Sequence, residues 1–198
     1  YKCRIGIVMK RISFLSLLFI AISISCVHSQ NASNNDVDSV FKEVDEYLEN
    51  SQVNKAISLI ESTEERILNE YGEESREYRS LECKLANTYV KFGEYYKAAD
   101  CLLKSSESSR KAYEKTNESN LLLLQALCYC LAVDQYIELE EYEKAIHYQK
   151  KGVDILAREF YGSEYYWNNY EKLGLCFYYI GEHKMAYKIF TDCKDFYL

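Results

Sequence analysis

The chain contains no proline, and only seven of its 198 residues are glycine. These two residue types interrupt helices most often, so their shortage removes most of the positions at which a helix would have to end. About half of the residues are hydrophobic, which is enough for a substantial core and excludes disorder over most of the length. Long runs rich in Glu, Lys, Leu and Ala therefore predict an almost entirely α-helical protein.

Basic side chains are scarce outside the N-terminus. Residues 1–29 contain four basic side chains and no acidic one, whereas the remainder carries 20 basic and 31 acidic side chains, a formal net charge of −11. Proteins that bind nucleic acids present a basic patch to the phosphate backbone. The acidic balance therefore argues against a nucleic-acid partner.

Motifs that carry chemistry are also few. Beyond residue 30 the histidines are His147 and His183, and neither shares a recognisable local motif with a serine or cysteine nucleophile. Paired carboxylates occur on polar turns, which lack the dry pocket that general acid–base catalysis requires. We therefore expect no enzymatic activity, no cofactor and no metal site.

The N-terminal segment is typical of a secretory signal peptide. Basic residues at 10 and 11 follow Met9, and an apolar run occupies residues 12–25. This run is shorter than the roughly 20 residues that a membrane-spanning helix needs. Residues 1–8 precede the start methionine and are interpreted as upstream read-through.

Two processing sites compete at the end of this segment. Small side chains before Gln30 predict cleavage after Ser29, whereas residues 23–26 resemble a bacterial lipobox in which Cys26 would be lipidated. In both cases we expect an exported protein, either periplasmic or secreted, whose only membrane contact would be a lipid anchor at Cys26. Residues 30–36 are polar and are interpreted as a linker.

An echo centred on alanine recurs four times in the remainder of the chain. It reads Val-Asn-Lys-Ala56, Tyr-Tyr-Lys-Ala98, Tyr-Glu-Lys-Ala145 and His-Lys-Met-Ala186, with spacings of 42, 47 and 41 residues. A period of this length indicates supersecondary units that bury their apolar faces against their neighbours. We predict four antiparallel helix pairs, with repeats at 37–72, 76–118, 120–162 and 165–198. The eight helices are expected near 37–50, 53–70, 76–92, 94–115, 120–139, 141–160, 165–180 and 182–197.

The repeats carry a spaced pattern of small and large residues. In the second repeat it comprises Leu85, Ala86, Tyr89, Gly93, Tyr95 and Ala98, and in the fourth Leu173, Gly174, Phe177, Gly181, Ala186 and Phe190. In the third repeat Glu140 replaces the turn glycine. With this pattern the chain resembles a tetratricopeptide repeat (TPR) protein, specifically the kinesin-light-chain-like subgroup with long repeats. The resemblance implies an all-α fold, a right-handed α-solenoid of about four helix pairs that acts as a protein–protein interaction scaffold.

The resemblance also implies where a partner binds, because the first helix of each pair lines the concave groove in this family. An extended peptide or a partner helix is the expected ligand. The corresponding residues are Asn87, Val90 and Lys91 in the second repeat, Asp134, Ile137 and Glu138 in the third, and Glu171, Leu175, Tyr178 and Tyr179 in the fourth.

Residues 121–131 are apolar on nearly every face of a helix. A helix that is hydrophobic all round is buried, and this one falls in the middle of the predicted array. We therefore expect a core helix and not a membrane span.

Six cysteines lie beyond the N-terminal segment: Cys83, Cys101, Cys128, Cys130, Cys176 and Cys193. Cys128 and Cys130 are two residues apart, so they point to different sides of a helix and cannot hold one metal ion. Cys83 and Cys130 occupy equivalent repeat positions, but packed helices lie about 8–10 Å apart and a disulfide needs Cα atoms within about 7 Å. Buried free thiols are the main interpretation, and one or more disulfides remain an alternative.

Two alternative functions remain open. An aromatic cluster at residues 165–170 contains Trp167, the member expected to be most exposed, and would suit a carbohydrate-binding surface lipoprotein. The chain also ends at Leu198 on apolar residues, without the polar cap that solenoids require. The other alternative is therefore that the chain is the N-terminal regulatory array of a longer signalling protein or enzyme.

Overall fold

The computed structural model describes residues 35–197, which form eight α-helices and no β-strand. They are α1 (Asn35–Glu49), α2 (Val53–Tyr71), α3 (Arg76–Lys91), α4 (Tyr95–Thr116), α5 (Ser119–Glu138), α6 (Tyr142–Glu159), α7 (Glu164–Tyr179) and α8 (His183–Tyr197). Every helix end lies within two residues of its predicted position. The predicted signal peptide, with the sites at Cys26 and Ser29, and most of the linker lie outside the described residues.

The helices stack in chain order, and each packs mainly against the helix before it and the helix after it. Such a stack is the one-dimensional arrangement of a repeat protein. The four echo alanines lie in the first turn of the second helix of each pair, and none is more than 2% exposed. A side chain this small lets the two helices of a pair approach closely, so the echo marks the same packing position in every repeat.

Helix α5 lies at the centre of the stack. By length and composition it is the one helix among residues 35–197 that is apolar enough to cross a membrane, and half of its apolar window is buried. None of the residues 121–131 is exposed, because α4 and α6 pack against this helix on both sides. The predicted core helix is confirmed.

Close approach of α6 to α5 depends on Gly152. A Cβ atom at this position would lie 2.7 Å from the Cys130 Sγ and 3.1 Å from the Ala126 carbonyl oxygen. A larger residue would have to push the two helices apart.

The turns also follow from the sequence. Ser75 and Ser163 cap the first helices of the second and fourth repeats, where their hydroxyls accept the backbone N–H of the third residue beyond them. Gly93 and Gly181 adopt left-handed backbone between the helices of a pair, and Glu140 takes the same conformation at φ 58° without being glycine.

Candidate partner-binding surface

Counting back from the echo alanines arranges the groove candidates into three rows that cross the first helices. The apolar row, eight residues before each alanine, consists of Leu48, Val90, Ile137 and Tyr178. The upper row, eleven residues before, consists of Asp45, Asn87, Asp134 and Leu175. The lower row, seven residues before, consists of Glu49, Lys91, Glu138 and Tyr179. Residues spaced by three and four positions share one face of a helix, so each first helix presents one member of every row together.

The lower row is the most exposed of the three, and Lys91 and Glu138 in it are exposed. In the apolar row, Tyr178 is exposed, with 44% of its surface accessible. Val90 and Ile137 are half-buried, because they pack against the core and leave only part of each side chain open. Asn87 and Leu175 are also half-buried. The surface is therefore a partly covered apolar stripe between two more polar edges.

Asp134 is committed to a structural ion pair. Lys172 of the next first helix lies with its Nζ atom 2.7 Å from Asp134 Oδ1, and the same Nζ atom donates to the Cys130 carbonyl oxygen at 3.4 Å. The lysine side chain is only 10% exposed. Burial is the largest single influence and would lower the pKa of Lys172, but the Asp134 carboxylate together with Cys130 and Cys176 outweighs it, so the net pKa is raised. Asp134 thus holds α5 to α7, and one of its oxygens is already occupied.

The first and second repeats are joined in the same way. Lys84 Nζ lies 2.6 Å from Asp45 Oδ1, and both residues occupy the repeat positions of Lys172 and Asp134. At the joint between the second and third repeats, these positions hold Asn87 and Leu131, which are uncharged. Cross-repeat ion pairs of this type therefore occur at the first and third joints only among the described residues.

The remaining fourth-repeat candidates are partly engaged in packing. Tyr179 stacks on Tyr142 of the third repeat with ring centroids 5.0 Å apart. Glu171 lies fifteen residues before Ala186, on a different row from the other candidates, and burial raises the pKa of its carboxyl group. Of the four candidates in this repeat, Tyr178 is exposed, and Glu171, Leu175 and Tyr179 are half-buried.

Trp167 is not the exposed member of the aromatic cluster. Its ring stacks on Phe196 at 4.9 Å and meets Tyr166 edge-on at 4.9 Å, and its indole nitrogen is buried. The covering ring comes from α8, which the local sequence around Trp167 does not reveal. Tyr161, at 70% exposure, is the most exposed of the rings around Trp167, and its position just before the turn glycine Gly162 was the available signal.

Sequence reasoning missed a cleft of about 590 Å³ between the first and second repeats. Its apolar lining includes Val53, Ile57 and Phe92, and Lys55 and Lys97 also line it. The two lysine ammonium groups lie over the rings of Tyr47 and Tyr89, at 5.7 and 5.3 Å from the ring centroids. The cleft combines side chains from two turns that are distant in sequence.

Metal-ligating side chains do not cluster in the region from 35 to 197. No group of three or more His, Cys, Asp or Glu residues there could hold a metal ion, and the six cysteines in this region are free thiols.

No protein-family model and no curated protein matches this chain. Among solved structures, it is similar to BtubC (BKLC) from P. vanneervenii, with 13% identity over 98% of this chain and 82% of that chain and a TM-score of 0.64. A MamA double mutant from strain RS-1 shows 16% identity over 91% and 93% of the two chains, with a TM-score of 0.48. A putative kinesin light chain from Podosopora anserina with TPR-like repeats shows 14% identity over 84% and 97%, with a TM-score of 0.38. At these identities the similarity concerns the fold alone, which is a TPR-like α-solenoid.

Proposed function

We propose that this chain is an exported protein-binding scaffold whose groove holds an extended peptide or a partner helix against the apolar row. The observation that supports this proposal is the arrangement of Leu48, Val90, Ile137 and Tyr178 in one partly open stripe across four repeats. Single exposed apolar residues are ordinary on a protein surface, whereas an aligned stripe between polar edges is typical of a binding groove.

The chemistry of the edges suits an amphipathic ligand. Lys91 and Glu138 are exposed in the lower row on neighbouring repeats and carry opposite charges. A peptide that places apolar side chains on the stripe can pair charged side chains with both. The helices hold the stripe in position before binding, so little ordering free energy is lost when the ligand arrives.

A library of phage-displayed peptides selected on the protein tests the groove. We expect the selected peptides to lose at least about tenfold in affinity, roughly 1.4 kcal/mol, for a groove variant that combines Lys91→Ala, Glu138→Ala and Tyr178→Ala. All three side chains are exposed, so the variant should keep its fold.

A matched control replaces the same three residue types on second helices. It combines Glu143→Ala, Tyr187→Ala and Lys188→Ala, which are also exposed. Peptides that bind the groove variant as tightly as the unmodified protein, or that discriminate only against the control, would place the binding surface elsewhere.

Export forms a separate part of the proposal and needs a separate test. Expression of the gene from Met9 should yield a mature protein outside the cytoplasm whose first residue is Gln30. A mature chain that begins at a lipid-modified Cys26 would instead establish the lipobox alternative. An intact N-terminus in the cytoplasmic fraction would remove the export proposal and leave the groove proposal standing.

A further inference from the structure

Two thiols from neighbouring repeats meet at one hydroxyl group. Cys83 lies on α3 and Cys128 on α5, and Ser105 on α4 stands between them. The Cys83 Sγ is 3.4 Å from the Ser105 Oγ, and the Cys128 thiol donates to the same oxygen at 3.5 Å. Both sulfur atoms therefore lie within 3.5 Å of the same oxygen atom, although the repeat pattern aligns Cys83 with Cys130.

The surroundings make the two thiols unequal. Each thiol is the largest influence on the other: Cys128 lowers the pKa of Cys83, and Cys83 raises the pKa of Cys128. Burial opposes the lowering at Cys83, while the Ser105 hydroxyl and the Arg79 guanidinium add to it. Cys83 is also half-buried, whereas Cys128 is fully buried. A partly exposed thiol with a lowered pKa and a cation nearby has the character of a reactive cysteine, and a second thiol beside it can resolve its oxidised form.

We propose that Cys83 and Cys128 are a modification site, at which a peroxide converts the two thiols into an intrachain disulfide that ties the second repeat to the third. The Cys83 thiolate attacks one peroxide oxygen, the O–O bond breaks, and the departing hydroxide takes up a proton as water. The product at Cys83 is a sulfenic acid. The Cys128 sulfur then attacks the Cys83 sulfur, the S–O bond breaks, and the leaving hydroxide removes the Cys128 proton as a second water. One hydrogen peroxide is thus reduced to two waters while two thiols are oxidised.

The Cys83–Cys128 disulfide would form at the joint between the second and third repeats. The first and third joints carry the Asp45–Lys84 and Asp134–Lys172 ion pairs, whereas the joint between the second and third repeats has neutral residues at those positions. Once the thiols bond to each other, the Ser105 hydroxyl keeps the Arg79 carbonyl oxygen, 3.5 Å away, as an acceptor. Oxidation therefore adds a covalent link where the first helices lack an ionic one.

Treatment of the folded protein with hydrogen peroxide, followed by alkylation, tryptic digestion and mass spectrometry, tests the proposal. We expect a linked pair of peptides that contain Cys83 and Cys128, with the mass of two hydrogens lost. Because Cys128 and Cys130 fall in one tryptic peptide, fragmentation must assign the bond to Cys128. The melting temperature should rise on oxidation, and dithiothreitol should reverse both changes.

Variants give the matched controls. Cys130→Ala removes the thiol that occupies the repeat position of Cys83, and it should leave the link unchanged. Cys83→Ala should abolish the link, and Cys128→Ala should leave a sulfenic acid at Cys83 that dimedone traps. The proposal is overturned if the native protein forms no link, if Cys83 joins a different cysteine, or if Cys83 reaches the sulfinic acid while Cys128 stays reduced.

Discussion

The clearest energetic prediction concerns Glu82, a carboxyl group buried inside the joint between the first and second repeats. Its side chain is fully buried, and neither of its oxygens has a hydrogen-bond partner among the described residues. The nearest cation, Lys104 Nζ, is 3.6 Å from Oε1, and this ammonium group is shared with Glu64 at 3.2 Å. Burial, reinforced by Glu64 and opposed by Lys104, raises the pKa of Glu82 to about 8.

The sign of the stability effect follows from this shift. The native state holds the Glu82 proton more tightly than the unfolded chain, whose carboxyl group has the ordinary pKa of 4.5. The free energy of unfolding contributed by this group is therefore highest below about pH 4.5, falls as the pH rises toward 8, and stays low above that. At about 1.4 kcal/mol per pKa unit, the loss approaches roughly 5 kcal/mol, and structural relaxation around the charge should reduce it to about 3–4 kcal/mol.

Glu82→Gln is the decisive change, because glutamine has the shape of the protonated acid and cannot ionise. We expect wild type and variant to unfold at similar urea concentrations near pH 5, and the variant to be more stable by about 3–4 kcal/mol near pH 9. Urea unfolding followed by far-ultraviolet circular dichroism, repeated across this pH range, measures the difference.

A matched control is Glu65→Gln, which removes an exposed carboxylate from the neighbouring helix α2. It should leave the pH dependence of the wild type intact. If the Glu82→Gln and wild-type curves run parallel from pH 5 to pH 9, the buried carboxyl group is not held in its neutral form and the reasoning fails.

Three further predictions concern the backbone and can be measured as shifts of the urea midpoint against wild type. Glu140→Gly should raise stability by about 0.5–1 kcal/mol, since glycine adopts the left-handed backbone that glutamate holds there at a cost; an unchanged or lower midpoint would contradict this. Ser163→Ala should lower stability by about 1 kcal/mol through loss of the cap on α7, and Ser163→Thr should retain most of it. Gly152→Ala should destabilise by about 1–3 kcal/mol, because the Ala126 carbonyl and Cys130 leave no room for a Cβ atom; a gain in stability, as helix propensity alone would give, would show that α5 and α6 can separate freely.

The helix positions could be predicted because their signals are local. The alanine echo, the turn glycines and the absence of proline all act within one repeat, and repetition in register removed ambiguity. The substitution at Glu140 illustrates this, because the sequence showed a missing glycine and the structure shows that the left-handed turn is kept. Local interactions determine both the turn and the register, so the pattern found in one repeat predicts the structure of the next.

The pairing of side chains across repeats could not be predicted in the same way. Asp134 qualified as a groove residue by position, but its partner Lys172 is 38 residues away on another helix. Trp167 was expected to be exposed, but Phe196 of α8 stacks on its ring. In both cases the outcome depends on the stagger between neighbouring helices, which the spacing within a single helix does not contain.

The alternation of charge along the groove has a consequence for any ligand that binds there. Four identical repeats would let a peptide bind equally well after sliding by one repeat. Here the upper row alternates between acidic Asp45 and Asp134 and neutral Asn87 and Leu175, and the lower row alternates between glutamate and non-acidic residues. Under the proposed groove binding, a slide by one repeat would therefore set the charged side chains of the ligand against lower-row residues of different charge. The proposed groove would thus select the register of its ligand as well as its composition.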